Sequence, residues 1–204
     1  VELKLNDVSA TLDPFNFGVN IKTIGTNLIY RNKNIKIQSI KSNISIKSFL
    51  NDKFALTGIS ISTNSLEIKD LITIVRLINN DPKLFIAEQF IKKGYLVADI
   101  ELNFDELGNI KSNYRFNGFV KDGKISLFKK YDLNKVDFIF EINEKNFRFN
   151  DLKLSLNNKK ILIPELIALK QSKKYLVSGE LNTENTSLSK NDINKLIINN
   201  IYKL

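Results

Sequence analysis

Residues 95–104, YLVADIELNF, show the pattern that decides the fold. Every second side chain from Leu96 to Phe104 is apolar, which is the period of a β-strand with one apolar and one solvated face. Most of the runs that follow, up to residue 181, alternate in the same way: NIKSNYRFNGFV, GKISLF, KVDFIFEI, NFRFNDLKLSL, KILIPELIAL and KYLVSGEL. The sequence therefore predicts a long meander of strands.

Turn residues and phase changes divide this stretch. Asp122-Gly123 predicts a hairpin turn, because the pair readily supplies left-handed φ. A switch of apolar phase near Asn150-Asp151 predicts a β-bulge, and Pro164 suits an edge strand or a bulge. Residues 1–68 show a second, shorter meander with a break near Asn6-Asp7.

The period becomes helical between residues 69 and 93. Apolar residues at i, i+3, i+4 and i+7 begin at Leu71, with Asp70 as a candidate N-cap. Asp81-Pro82 has the form of a second helix start, and Gly94 that of a helix end. Two short amphipathic helices are predicted here. They could bind a membrane surface, but covering an open end of the sheet is favoured, because ordinary surface helices carry the same pattern.

These patterns predict a mainly β fold. A long antiparallel meander forms a curved, trough-like sheet, with two short helices inserted near 70–93 and a C-terminal helix. The expected division is an N-terminal β-meander at 1–68, a two-helix insertion at 69–93, the long meander at 94–184 and a helix at 185–204 that begins the next segment. No run of about 18 apolar residues occurs, so no transmembrane helix is expected. The chain is interpreted as a piece of a longer protein.

Composition argues against an enzyme. The chain has no His and no Cys, which removes the commonest general base, the thiolate nucleophile and the usual transition-metal ligands. No acid pair, phosphate loop or ligand cluster is visible, so we expect no catalytic residue, metal site or cofactor. The net charge of +9 could indicate an anionic partner. Lys, Asn, Ile and Phe dominate together, however, so A/T-rich codon usage explains the charge better. Nucleic acid is not expected, because Tyr114 and Phe116 alternate into the apolar face while Arg115 points away.

Several segments are similar to one protein family. They are LDPFNFGVNIKTI, then IKIQSIKSNISIKSFLNDKFALTGISISTNSLEIKDLITIVR, and GYLVADIELNFDELGNIKSNYRFNGFVKDGKISL. Together they resemble the AsmA-like family of bacterial envelope proteins, the relatives of TamB. In that family a turn leads into an "I.I.T..L.IKDL" strand and then a helix, and this pattern corresponds to residues 59–70 here.

The resemblance implies a bridge-like lipid-transfer protein of chorein-like architecture. The expected function is to bind phospholipid acyl chains and conduct them along an apolar β-groove between the membranes of a Gram-negative envelope, in support of outer-membrane biogenesis. The expected partner is phospholipid or another envelope lipid, and the expected location is periplasmic, with an inner-membrane anchor in the parent protein. The alternative is a structural or adhesive all-β module with a closed core and no ligand. The residues expected to line the groove are Leu96, Ile100, Leu102, Phe104, Tyr114, Phe116, Phe138, Phe140, Ile142, Phe147, Phe149 and Leu154.

Overall fold

A computed structural model describes residues 2–30, 33–78, 82–127, 131–156, 159–172 and 174–183. Three helices are present in these ranges: α1 (Ile46–Leu50), α2 (Ile68–Ile78) and α3 (Pro82–Phe90). The strands are β1 (Glu2–Lys4), β2 (Ser9–Asp13), β3 (Gly18–Tyr30), β4 (Lys33–Ser45), β5 (Leu56–Thr63), β6 (Leu66–Glu67), β7 (Ile91–Asn103), β8 (Arg115–Leu127), β9 (Tyr131–Asn143), β10 (Asn146–Leu156), β11 (Lys159–Gln171), β12 (Lys174–Gly179) and β13 (Asn182–Thr183).

All thirteen strands belong to one antiparallel sheet. Its main path has ten strands in the order β1-β3-β4-β5-β7-β8-β9-β10-β11-β12. Strands β1 and β2 both pair with the outer side of β3, β1 near the end of β3 and β2 near its start. In addition, β13 pairs with β11, and β6 pairs with β7. The two ends of the path do not pair, so the sheet is open. The predicted mainly β meander with two inserted helices is confirmed. The C-terminal helix predicted at 185–204 falls outside the described residues.

Left-handed residues produce bulges inside long strands. The hairpin predicted at Asp122-Gly123 is wrong, because β8 runs through both residues and stays beside β9 along its whole length. Asp122 has φ +51°, and the pairing register shifts between Val120 and Gly123. The same conformation at Asp151 (φ +50°) coincides with the bulge predicted there, opposite β9.

Two boundaries differ from the sequence prediction. The alternation in residues 43–50, NISIKSFL, predicts a strand to residue 50, but β4 ends at Ser45. The Ser45 side chain accepts a hydrogen bond from the Ser48 amide at 3.1 Å and caps α1. Gly94 does not end α3. It lies inside β7 with φ +146°, where Ile68 and Gly123 leave no room for a side chain.

The core consists of two clusters along the sheet. The first is formed by Leu28, Ile35, Ile37 and Leu66, with Ile40 and Ile61 packed against it. The second is formed by Leu96, Ala98, Val120 and Phe140. The first cluster comes from strands that precede the helical insertion and the second from strands that follow it. Strand β5 pairs with β7 across the insertion, so the sheet is continuous through both regions.

Candidate interaction surface

A single line of directly opposed residues crosses nine strands. From β3 to β12 it runs through Thr23, Ile40, Ile61, Ile100, Phe116, Ile142, Phe147, Ala168 and Val177. We call this line the central row. Directly opposed residues in antiparallel strands share one face of the sheet. The central row therefore defines an apolar face that extends from one end of the sheet to the other.

Small residues allow the aromatic side chains to pack closely beside this row. Gly118 lies between Ala98 on β7 and Phe140 on β9. A Cβ at Gly118 would stand 2.1 Å from the Val97 carbonyl oxygen and 2.8 Å from Cζ of Phe140. The Phe140 ring thus occupies the space that a side chain at position 118 would fill. Phe138 contacts the rings of Phe140 and Phe149 edge-on, at centroid distances of 6.2 Å and 5.6 Å.

The structure brings most of the predicted groove residues together. The second cluster includes Leu96 and Phe140 as buried members, with Ile100, Phe116, Phe138, Ile142 and Phe149 packed against it. Tyr114 joins through an edge contact with Phe116 at 5.5 Å, and burial raises its pKa, as does the neighbouring Glu144 carboxylate. Phe147 lies on the central row and contacts Tyr175 at 5.6 Å.

Three of the predicted residues lie apart from this cluster. Leu102 is opposite Ile59 on β5. Phe104 follows the end of β7, and its ring contacts Phe54 at 5.6 Å. Leu154 lies beyond the bulge at Asp151, opposite Ile161.

Sequence reasoning missed several members of the cluster. Ala98 and Val120 are buried within it, although both have the same alternating phase as their predicted neighbours. From α2, Ile68 and Leu71 also pack on the cluster. Helix α2 therefore covers the sheet at β7, in the middle of the strand order, and not at an open end as favoured from the sequence. The apolar spacing in the second helix predicts that Phe85 and Ile86 of α3 face inward, but both are exposed.

The ends of the sheet expose more apolar surface than its centre. At the first end, Leu12 of β2 is 71% exposed and Phe15 in the following turn is 97% exposed. At the other end, all six residues of β12 are exposed, among them Tyr175, Leu176 and Val177. Apolar side chains on edge strands favour contact with another protein surface.

Three lysine side chains line a cavity of about 440 Å³ beside β9, β10, β11 and β13. Lys135, Lys153 and Lys160 line it together with Asp137, while Leu154, Ile161 and Leu162 supply apolar walls. The Asp137 carboxylate is already engaged, because it accepts hydrogen bonds from the Asp122 amide and the Lys121 ammonium. The lysines give the cavity a positive potential.

Outside this cavity, the carboxylates of Asp105 and Glu106 form hydrogen bonds that close a loop. The Asp105 carboxylate accepts hydrogen bonds from the Leu107 and Asn109 amides, both at 2.9 Å, and from the Asn109 side chain. The bonds from Asn109 lower the pKa of Asp105 below its ordinary value. Lys53 lies 2.5 Å from the Glu106 carboxylate and lowers its pKa through a hydrogen bond and its charge. These groups close a loop and do not form an acid–base pair.

The described ranges contain no group of three or more acidic residues placed to hold a metal ion. None of the described helices combines the length and apolarity required to cross a bilayer.

One known protein is similar to a large part of the chain. Over 140 residues, 68% of this chain, the sequence is 31% identical to the flagellar motor switch protein FliM of Buchnera aphidicola subsp. Acyrthosiphon pisum. The match spans 38% of that relative's length. No family model matches the chain, and no solved structure matches it. The relative is a motor switch protein and its name is not that of an enzyme, which agrees with the expectation of a non-enzymatic protein.

This similarity overturns the functional part of the sequence interpretation. The resemblance to the AsmA-like family is corrected, because the relative found is a motor switch protein and not an envelope lipid-transfer protein. Phospholipid conduction, a lipid partner and an inner-membrane-anchored periplasmic location all depended on that resemblance, so they are corrected with it. The alternative, a module closed by a second sheet, also differs from the structure, since all described strands belong to one open sheet. Hydrophobic alternation reports a face that must be covered, and does not identify what covers it.

Proposed function

We propose that the chain is a non-enzymatic assembly module of a flagellar motor switch. The observation that carries this proposal is the 31% identity to a flagellar motor switch protein over 68% of the chain. The sheet supplies a physical means of assembly, because it presents exposed strands and apolar side chains at both ends. Strand edges and apolar patches support protein contacts without any reacting group.

Binding to isolated flagellar basal bodies tests the proposal. Purified chain is mixed with basal bodies that retain the motor switch and with basal bodies stripped of it, and each mixture is sedimented. We expect the chain to sediment with the first preparation and to stay in the supernatant with the second. Equal sedimentation with both, or with neither, would contradict the proposal.

The net charge of +9 requires a control for non-specific attraction. An unrelated all-β protein of similar size and charge serves this purpose, and both proteins are assayed at two salt concentrations. Attraction between exposed charges weakens as salt rises, because the screening length shortens from about 10 Å at 0.1 M to about 3 Å at 1 M. Specific binding through apolar and strand contacts should persist at the higher salt, whereas the control protein should be released.

A further inference from the structure

The two end strands of the sheet are complementary to each other. Strand β12 pairs with β11 alone among the described strands, and no other described strand lies on its outer side. At the opposite end, β2 pairs with β3 alone. The two strands are similar in length, with six residues in β12 and five in β2. Open backbone donors and acceptors on such strands are satisfied when another strand is added.

We propose that copies of this chain add to one another head to tail, with β12 of one copy pairing antiparallel to β2 of the next. The occupant of each open end is thus the other end of a second copy. The inference rests on the geometry of the sheet and is independent of the function proposed above.

Strand direction is the first argument for a second copy. The path from the β1/β2 end to β12 contains ten strands, and every neighbouring pair is antiparallel. Because ten is even, β2 and β12 run in opposite directions. A second copy shifted along the sheet, with the same face upward, therefore brings its β2 antiparallel to β12. An odd number of strands would have made the same contact parallel.

The apolar face is the second argument. Val177 is on the central row, and Tyr175, two residues earlier, contacts Phe147 of the same row. At the other end, Ala10 and Leu12 lie opposite Ile21 and Val19, which share the face of Thr23 because β3 continues without a register shift there. Both end strands thus bring apolar residues to the same face, and joining them continues that face from copy to copy.

The register follows from side-chain pairing. Placing Val177 opposite Ala10 puts Tyr175 opposite Leu12 and Lys174 opposite Asp13. An aromatic–aliphatic pair and an opposite-charge pair are both favourable across antiparallel strands. The Asp13 carboxylate is already held in place, because it accepts hydrogen bonds from the Asn16 amide at 3.1 Å and the Asn16 side chain at 2.8 Å. A shift by one residue would turn Tyr175 and Val177 away from Ala10 and Leu12.

The contact is heterologous, since two different surfaces of the same chain meet. Such contacts leave one free end of each kind on every open assembly. Copies can therefore add until the rotation between neighbours closes a ring, or continue into an open filament.

Disulfide trapping tests the contact directly. The chain has no cysteine, so introduced thiols report only the designed pair. In the full chain, Ala10→Cys is combined with Val177→Cys, which places the thiols opposite each other on one face. These positions lie at opposite ends of one sheet, so a ladder of covalent dimers, trimers and larger species is expected on mild oxidation. The matched control combines Thr11→Cys with Val177→Cys and puts the thiols on opposite faces, so no ladder is expected from it.

Single variants decide between head-to-tail addition and other contacts. Ala10→Cys and Val177→Cys alone should give no dimer, but their mixture should give a heterodimer and nothing larger. A dimer of Val177→Cys alone would overturn the proposal in favour of a symmetric β12–β12 contact. Monomer from the Ala10→Cys/Val177→Cys double variant, with far-UV circular dichroism unchanged, would also overturn it and indicate that another segment or another protein covers β12.

A second measurement does not depend on thiols. Sedimentation velocity of the unmodified chain should show a mass that rises with concentration. Val177→Pro should abolish this rise. The Lys170 amide donates to the Lys145 carbonyl, so the amides of Lys170 and Ala168 point to β10, and the amide of Val177, opposite Ala168, points to the open side of β12. The thermal unfolding midpoint of this variant shows whether the sheet is retained. A concentration-independent monomer for the unmodified chain, or an unchanged rise in a folded Val177→Pro variant, would overturn the proposal.

Discussion

The carboxylate of Asp137 on β9 accepts a hydrogen bond of 2.7 Å from the backbone amide of Asp122, the left-handed residue of the β8 bulge. A bulge leaves backbone groups without a partner in the neighbouring strand. Asp137 supplies the missing acceptor, and its other oxygen lies 3.2 Å from the Lys121 ammonium. The side chain thus fixes the bulge where the two strands change register.

Replacing Asp137 should therefore loosen this bulge. Asp137→Ala removes the acceptor, and water can replace it in part, because the Asp122 amide is exposed. We therefore expect a loss of about 0.5–1.5 kcal/mol in the free energy of unfolding. Urea denaturation measures the change as a lower midpoint at an unchanged slope. Asp132→Ala, at an exposed position of the same strand, is the matched control and should change stability by less than about 0.5 kcal/mol. Equal midpoints for the two variants would show that the bulge does not depend on Asp137.

Gly118 should tolerate no side chain. In Gly118→Ala the new methyl group would meet the Val97 carbonyl oxygen, and backbone cannot move aside as a flexible side chain can. We expect a loss of about 3 kcal/mol or more, at the upper end of overpacking costs. Gly58→Ala is the control, because its nearest neighbour at 3.2 Å is the side-chain oxygen of Asn103, which can rotate. Thermal unfolding should separate the two variants clearly, and similar midpoints would contradict the close packing of β7 on β8.

The Thr23 and Thr26 hydroxyls form a buried pair, 2.6 Å apart, on either side of the left-handed Gly25. Thr23→Val or Thr26→Val alone leaves one buried hydroxyl without this partner, so each should cost about 1–3 kcal/mol. The double variant removes both hydroxyls and should be more stable than the sum of the single changes predicts. A double-mutant cycle by urea denaturation measures this coupling, and additive changes would show that the two hydroxyls do not depend on each other.

The Asp105 loop should respond to acid. Since hydrogen bonds from Asn109 lower the pKa of Asp105 in the folded state, the loop gains stability from the ionised carboxylate above pH 3.8, the ordinary value. That contribution is lost as the pH falls through the lower folded pKa. NMR titration should find the Asp105 carboxyl titrating below 3.8 in the native chain and closer to that value in Asn109→Ala. An unchanged titration in the variant would contradict the assignment of this bond as the cause.

The alternation of apolar residues within each segment was enough to predict the strands, but not whether a strand ends in a turn or continues through a bulge. The alternation from Leu96 to Phe104 reports burial of one face, which is a property of neighbouring residues, and it is present in β7. The conformation at Asp122-Gly123 depends on a distant group. A left-handed residue serves a turn or a bulge equally well, and the presence of Asp137, fifteen residues away, decides for the bulge.

The candidate interaction surface was also predictable within one strand but not across strands. Phe138, Phe140 and Ile142 were predicted to share one face from their spacing alone. The alignment of Ile142 with Ile61 and Val177 on the central row depends on the pairing register across many strands, and no single segment specifies that register. The occupant of that face was wrongly inferred from a family resemblance, because similar alternation suits any partner that buries apolar surface.

The order of the strands also bears on how the chain reaches this structure. From β8 to β12 each strand pairs with the one synthesised just before it, whereas the pairing of β5 and β6 with β7 spans the helical insertion. Contacts between neighbours in sequence need short loop closures, which favour fast folding for a β protein. The sheet can therefore grow from its N-terminal end during translation, and each new strand finds its template already in place.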